Sequence, residues 1–220
     1  ARRSGMVSAM NLTEFDSRDA ASSAAADFLG SALKRSLAEQ GRAVLMTCGG
    51  TSPGGSLVEL SHHDLDWKRV TVTLTDERLV PVSDDASNEK MVREKLFQNS
   101  AASASFCELS EPNVSRIVAG PLVSLVGMGE DGHFASIFPG SLKLNQLLDL
   151  SAVPDIFDVS TSTSPYPRRT ANLAMILKST TILLMAFGDK KKQVLKAAEG
   201  LPIAMLLAQK QVPLSIYWAK

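Results

Sequence analysis

The sequence predicts an α/β fold with a mostly parallel sheet flanked by helices, and three observations carry that prediction. Short apolar runs recur at Ala43–Thr47, Arg69–Thr75, Leu122–Val126 and Thr181–Phe187, each of strand length. Segments of helical spacing stand between them, the longest being Asp16–Gln40. Strands that alternate with helices give a parallel sheet with right-handed crossovers. Finally, each of the four runs empties into a stretch of glycines or charges, at Gly49–Ser52, Asp76–Arg78, Gly127–His133 and Gly188–Lys191. In a parallel sheet all four lie at one edge, where open α/β sheets bind ligands.

In chain order, the residues near Val7–Phe15 read as a first strand. Asp16–Gln40 is alanine-rich, sets Phe28, Leu29, Leu33 and Leu37 on a helical spacing and ends at Gly41, which makes one long amphipathic helix. Ala43–Thr47 is a buried strand. It runs into Cys48-Gly49-Gly50-Thr51-Ser52-Pro53-Gly54-Gly55, with Leu57, Val58 and Leu60 beyond. A strand, a turn of glycines and hydroxyls, and a helix start together form an anion cradle, because amide and hydroxyl donors meet the positive end of a helix. It is not a Walker A loop, since the Lys-Ser/Thr ending is absent. The plainer alternative is a strand-to-helix turn without a ligand.

His62-His63-Asp64 falls in the next loop. Adjacent side chains diverge and rarely ligate one metal, so it reads as surface. Arg69–Thr75 alternates Val70, Val72 and Leu74 with threonines, a strand pattern. Asp76-Glu77-Arg78 follows at its end, either as a functional cluster or as a solvated salt-bridging turn. A polar loop leads through Ser87-Asn88 to a helix over Glu89–Phe97. Residues 98–120 show no period and read as a mobile connection or a place where sequence is missing; no chemistry is assigned to them.

The densest stretch is Pro121–Gly140. After the Leu122–Val126 strand come Gly127, Gly129, Glu130, Asp131, Gly132 and His133. The glycines satisfy G-x-G-x-x-G, but the dinucleotide reading fails. That fingerprint needs a long helix opening from the glycines, and Pro139-Gly140 stops any helix within about two turns. Two carboxylates beside a histidine suit proton chemistry better than anion binding. The alternative is a turn-forming aspartate and an ordinary loop histidine.

Beyond this stretch, Ser141–Leu150 reads as a helix and Ile156–Val159 as a strand. Ser164-Pro165-Tyr166-Pro167 forces an extended approach to Arg168-Arg169-Thr170, a pair of arginines able to clamp a phosphate. Thr181–Phe187 is a strand ending at Gly188. Lys190-Lys191-Lys192 then opens a helix to Glu199, an unfavourable place for cations that a bound anion would relieve. Pro202–Ala208 and Ser215–Trp218 give a last helix and strand.

The bulk numbers fit one domain over residues 1–220. Lysine plus arginine and aspartate plus glutamate balance at 23 each, 45% of residues are hydrophobic and 21% charged. Zero net charge favours neither nucleic acid nor an anionic membrane as partner. Cys48 and Cys107 form no zinc pattern with the three histidines and no disulfide framework. No apolar run approaches the roughly 20 residues of a membrane span. The N-terminal stretch with Arg2-Arg3 is too short and polar for a secretory signal. A cytoplasmic location is expected.

The motifs Gly-Gly-Thr-Ser-Pro from Gly49, Leu-Thr-Asp-Glu-Arg-Leu-Val-Pro from Leu74, a Ser-Asn pair ending ten residues after Arg78, the run Gly127–Gly140, Pro-Arg-Arg-Thr from Pro167 and Gly-Asp-Lys-Lys from Gly188 occur in the order found in 6-phosphogluconolactonases. The resemblance spans nearly the whole chain. It implies a Rossmann-like α/β fold, shared with glucosamine-6-phosphate deaminases, and hydrolysis of 6-phospho-D-glucono-1,5-lactone. It also implies roles: His133 as general base, Asp131 as its polar partner, and Gly49, Gly50, Thr51 and Ser52 as the phosphate-side loop. Asp76, Arg78 and Asn88 match further site motifs, Arg168 the motif arginine and Lys191 the motif lysine. Arg169 stands where an aliphatic residue is more usual. Ala171-Asn172, the short segment 98–120, Gly120-Pro121 and the Gly200–Leu201 junction depart from the family's pattern.

A δ-lactone is a reactive ester and needs no covalent nucleophile, in keeping with the absence of G-x-S-x-G. A histidine titrates near physiological pH and can deprotonate water, while Arg78 or nearby amides stabilise the oxyanion. No metal or organic cofactor is expected, and the partner is a small phosphosugar lactone, met by a monomer or small homo-oligomer. Two alternatives stand beside this. Deaminases of the same fold resemble Asp-Gly-His-Ile-Ala-Phe-Asn-Glu-Pro-Gly at the histidine motif, with a carboxylate where this chain has Phe138. A non-catalytic phosphosugar-binding regulator would keep the phosphate loop without needing Asp131 and His133.

Overall fold

The structure, a computed structural model, describes residues 11–162 and 164–220; the Val7–Met10 part of the expected first strand lies outside them. The chain opens with β1 (Leu12–Phe15) and α1 (Arg18–Gln40). Ser17 caps this helix by accepting from the amide of Ala20, and Gly41 ends it in the left-handed region, donating its N–H to Leu37. There follow β2 (Ala43–Thr47), α2 (Thr51–Leu60), β3 (Val70–Leu74), β4 (Asp76–Arg78), α3 (Asn88–Leu96), β5 (Ser105–Phe106), α4 (Val114–Val118) and β6 (Leu122–Gly127). The second half contains α5 (Leu144–Leu148), β7 (Ile156–Val159), β8 (Arg168–Ala171), α6 (Leu173–Ile176), β9 (Ser179–Phe187), α7 (Asp189–Lys196), α8 (Pro202–Ala208) and β10 (Leu214–Ala219).

Among the described residues, seven strands form one sheet in the order β1-β10-β9-β6-β2-β3-β5, with every pairing parallel. The main strands are buried because helices cover both faces. Alternate residues feed separate cores: Leu45, Leu125 and Leu183 pack under α1 and α2, whereas Val44, Met46, Val126 and Leu184 face the layer that holds α6 and α8. From β2 the chain moves outward through β3 to β5, then returns to the opposite side of β2 as β6. The switch point therefore lies between β2 and β6. The four strands whose ends carry the candidate residues, β9, β6, β2 and β3, are neighbours around it.

Several local expectations change. Helix α2 begins at Thr51, so Gly54 and Gly55 lie inside it. A Cβ on Gly55 would come within 2.9 Å of Ser22 Oγ on α1, and the bare backbone permits that close helix contact. Asp76–Arg78 is a strand rather than a turn. It pairs antiparallel with β8, which pairs with β7, forming a second, three-stranded sheet. Ile156–Val159 is thus a strand outside the main sheet, and β8 has no apolar period because it is only four residues long. The helix expected at Ser141–Leu150 is confined to Leu144–Leu148, with Leu142 fully exposed.

Residues 98–120 are built into the sheet edge. Their elements are too short to show a period. Ser105 and Phe106 pair with Thr71 and Val72, the amide of Cys107 donates to the carbonyl of Val72 at 2.8 Å, and α4 leads back to β6. His63 is more than a surface residue: its ring lies against Gly30, where a Cβ would come within 2.3 Å, and it faces Asp27 at 3.5 Å.

Helix α3 is anchored by a carboxylate from β4. Glu77 accepts from the amides of Arg78, Asn88 and Glu89, each at 2.7 Å, and from Ser87 Oγ at 3.2 Å. An anion at a helix N-terminus receives charge-assisted hydrogen bonds and a favourable dipole. Glu77→Ala is expected to cost ~1–2 kcal/mol, read as a fall in Tm of roughly 2–8 °C by circular dichroism. An unchanged Tm would remove Glu77 as the anchor.

Candidate active site

The loop after β6 carries the histidine. It is folded tightly by the bond from Gly129 N to His133 O at 2.9 Å and by Gly132 in the left-handed region at φ 78°. A Cβ on Gly129 would lie 2.3 Å from the imidazole, so only a glycine lets the ring lie over that backbone. Ala135 also has positive φ, 48°, a conformation that an alanine adopts at a cost.

Asp131 Oδ1 accepts the backbone N–H of His133 at 3.1 Å and sits 2.5 Å from His133 Nδ1. An ionised carboxylate only accepts, so in the neutral imidazole this contact favours the proton on Nδ1 with the lone pair on Nε2. The imidazole is 27% exposed and lines a cleft of about 220 Å³. Gly49, Gly50, Thr51 and Ser52 line the same cleft, with Asp76, Arg78, Asn88, Arg168 and Lys191. Every residue to which the resemblance gives a role therefore reaches one cavity, apart from Asp131, which stands beside His133.

Two helices start beside the cleft without a side-chain cap, α2 lining it from Gly50 onward and α7 reaching it through Lys191. Helices α1, α3 and α6 are capped by the side chains of Ser17, Ser87 and Asn172. Helices α2 and α7 instead start from Gly50 and Gly188, with φ of 96° and 92° and no side-chain cap. Their first amides are left for a ligand or for water. Gly49 has a further steric duty, since a Cβ there would overlap the amide of Asn88. Asn88 in turn donates Nδ2 to the carbonyl of Asp76 at 2.8 Å.

The cavity is cationic although the chain is neutral overall. Burial lowers the pKa of Arg168, and the neighbouring Arg78 guanidinium lowers it further. Burial likewise lowers Lys191. Arg78 donates from Nη1 to the carbonyl of Ala86 at 2.7 Å, while its buried Nε has no partner among the described residues. Lys190 pairs with Glu130 at 3.2 Å, and Lys192 pairs with Glu14 and lies over the Trp218 ring. Of the three lysines, only Lys191 lines the cleft. The two arginines also separate. Arg169 makes a bidentate pair with Asp158 across β7 and β8, at 2.7 and 3.1 Å; Arg168 lines the cleft, held by Ser164 Oγ at 3.0 Å.

Asp76 occupies a different place from a free ligand-binding carboxylate. It is buried, accepts from Ser136 Oγ at 2.6 Å and Thr75 Oγ1 at 3.0 Å, and lies 3.8 Å from Arg168 Nη1. Ser136 and Ser164 support the site without a signal in the sequence, and Phe138 enters the sequence reading only as the residue that stands where the deaminases carry a carboxylate. Only the mixed charges of Asp76-Glu77-Arg78 gave a signal for Glu77. Cys48 borders the cleft, yet burial and the nearby Asp76 push its thiol up to about 12, which keeps it un-ionised and a poor nucleophile. Among the described residues, no group of three or more His, Cys, Asp or Glu side chains is placed to hold a metal ion.

Comparison with known proteins agrees with this geometry. Residues 16–218 match the family model for glucosamine-6-phosphate isomerases/6-phosphogluconolactonase. A 6-phosphogluconolactonase of Caulobacter vibrioides is 37% identical, covering 96% of this chain and 98% of the relative. One from Rhizobium meliloti is 34% identical, covering 95% and 98% respectively. The crystal structure of a 6-phosphogluconolactonase from Shewanella baltica superposes with a TM-score of 0.88 at 32% identity, covering 98% of this chain and all of that one. With the match running through almost the whole fold and every loop of the cleft, the chain belongs to the glucosamine-6-phosphate isomerase/6-phosphogluconolactonase family.

Proposed function

We propose that this single domain hydrolyses 6-phospho-D-glucono-1,5-lactone to 6-phospho-D-gluconate, the second step of the oxidative pentose phosphate pathway, in the cytoplasm. The observation that carries this reading is an oriented His–Asp pair opening onto the same small cleft as three cations and the uncapped start of α2. It is supported by relatives that are 6-phosphogluconolactonases matching nearly end to end. Among the described residues, no helix is long and apolar enough to cross a membrane.

In this scheme the phosphate is held by Arg168, Lys191 and the amides and hydroxyls of Gly49–Ser52. Holding that end fixes the lactone carbonyl beside a water at His133. Nε2 takes a proton as the water oxygen bonds to the carbonyl carbon, and Asp131 stabilises the imidazolium through Nδ1–H. Arg78 or nearby amides stabilise the oxyanion. Collapse breaks the bond to the ring oxygen, and the imidazolium returns its proton to that oxygen. The ester is activated by its ring, so the sequence of steps calls on no covalent enzyme intermediate.

The deaminase reading is weakened by Phe138, which cannot relay a proton from the position just before Pro139. A regulator that only binds phosphosugars would not need the pair of His133 and Asp131. Timed disappearance of freshly made lactone, corrected for spontaneous hydrolysis, tests the proposal; ammonia release from glucosamine-6-phosphate would instead favour the deaminase.

His133→Ala is expected to lower kcat at least ~100-fold, with 6-phosphogluconate binding by calorimetry largely kept; an unimpaired rate rules His133 out as the base. Arg168→Ala is expected to raise KM by roughly 10–100-fold with a smaller effect on kcat, and a loss confined to kcat would move Arg168 from capture to chemistry. Lys191→Met is expected to raise KM while raising Tm by about 2 °C, because the free protein carries a half-buried cation that burial disfavours. A lower Tm would mean that Lys191 is stabilised by its surroundings.

A further inference from the structure

Phe138 is an apolar side chain packed against two residues that line the polar cleft, and nothing in the scheme above uses it. It is 5% exposed. Its ring centroid lies 4.4 Å from that of the His133 imidazole, with the planes tilted by 38°. The guanidinium carbon of Arg168 lies 5.3 Å from the same centroid. One ring thus touches both the imidazole, which arrives from the β6 loop of the main sheet, and the guanidinium, which arrives from β8 of the small sheet.

These contacts supply what the hydrogen bonds leave free. Asp131 fixes one edge of the imidazole at Nδ1, but a single bond allows the ring to swing about its own axis. A ring packed against the imidazole restricts that swing and so fixes the direction of Nε2. For Arg168, the face of an aromatic ring attracts a cation without neutralising it. A carboxylate in this position would take up the guanidinium in an ion pair and compete with an anionic ligand. The ring leaves its own side of the guanidinium uncompensated, while the Asp76 carboxylate, 3.8 Å from Nη1, and Ser164 set the other side.

We propose that Phe138 is a positioning residue that sets His133 for proton transfer and Arg168 for phosphate capture at the same time, coupling the two ends of the substrate. The inference rests on the lactonase reading. It assigns Phe138 two separable effects, on kcat through His133 and on KM through Arg168.

The test is steady-state hydrolysis of fresh 6-phosphogluconolactone by the wild type, Phe138→Leu, Phe138→Tyr, Arg168→Ala and the Phe138→Leu/Arg168→Ala double variant, with Tm measured for each. Leucine keeps the apolar bulk and removes the aromatic face; it is expected to lower kcat and raise KM, each by roughly tenfold. Tyrosine restores the face and is expected to bring both constants back to within about threefold of wild type. In the Arg168→Ala background, Phe138→Leu is expected to lower kcat as before but to raise KM no further, since its partner on that side is gone. Wild-type constants in Phe138→Leu, or a full further rise of KM in the double variant, would overturn the inference while leaving the lactonase reading intact. If Phe138→Leu fails to fold, a tyrosine variant that is folded but as impaired as Arg168→Ala in KM overturns it, and one near wild type supports it. A wild type no faster than spontaneous hydrolysis would overturn the lactonase reading and this inference with it.

Discussion

The buried carboxylate of Asp76 is the joint on which the site depends. It stands one residue beyond the last bond of β3 to β2, where the chain leaves the main sheet. Ser136 reaches it from the histidine loop, Thr75 from the bend between β3 and β4, and Arg168 from β8. Its carbonyl holds Asn88 at the start of α3. A buried charge is tolerated only when its lone pairs are satisfied. Satisfying this one draws three separate parts of the chain to a single point. The small antiparallel sheet follows from the same need, because pairing Asp76 with Thr170 in register sets Arg168 opposite Arg78. The two guanidiniums are therefore neighbours by strand register rather than by attraction.

Much of this was legible in the sequence because it depended on local rules. Ala43–Thr47 was read with the bounds it has, since a five-residue apolar run flanked by Arg42 and by glycines admits few alternatives. The long first helix announced itself through alanine content and Gly41. The convergence of four strand ends followed from parallel topology alone. The residues that eluded sequence reasoning act across distance. Ser136 and Glu77 look like ordinary polar loop residues until the partner that each satisfies is in view. Strand β8 is paired on both sides, by β4 and β7, but with only four residues it is too short for apolar alternation to show. Residues 98–120 failed to show a period because each of their elements is shorter than the window in which a period can be seen.

The electrostatics separate a local requirement from a global one. A balanced chain keeps no long-range field, so whatever draws an anion into the cleft acts at close quarters: Arg78, Arg168 and Lys191, against a background of bare helix ends. Arg168 and Lys191 are held where burial works against them. Acidic groups nearby are either turned to structural use, as with Asp76 and Glu77, or placed beside the imidazole, as with Asp131. Sign and position are thus assigned residue by residue, and the free protein carries the cost until a ligand arrives.

The glycine starts of α2 and α7 restrict what can be changed here. At α1, α3 and α6 serine and asparagine close the helix starts, and adding such residues is a routine way to harden a protein. At Gly50 and Gly188 that route is shut. The backbone twist there is one that side chains resist, and at α2 a cap that satisfied the exposed amides would fill the space that the proposed phosphate site needs. Attempts to engineer a sturdier enzyme from this scaffold would have to draw their gains from the far side of the sheet and leave these two helix mouths open.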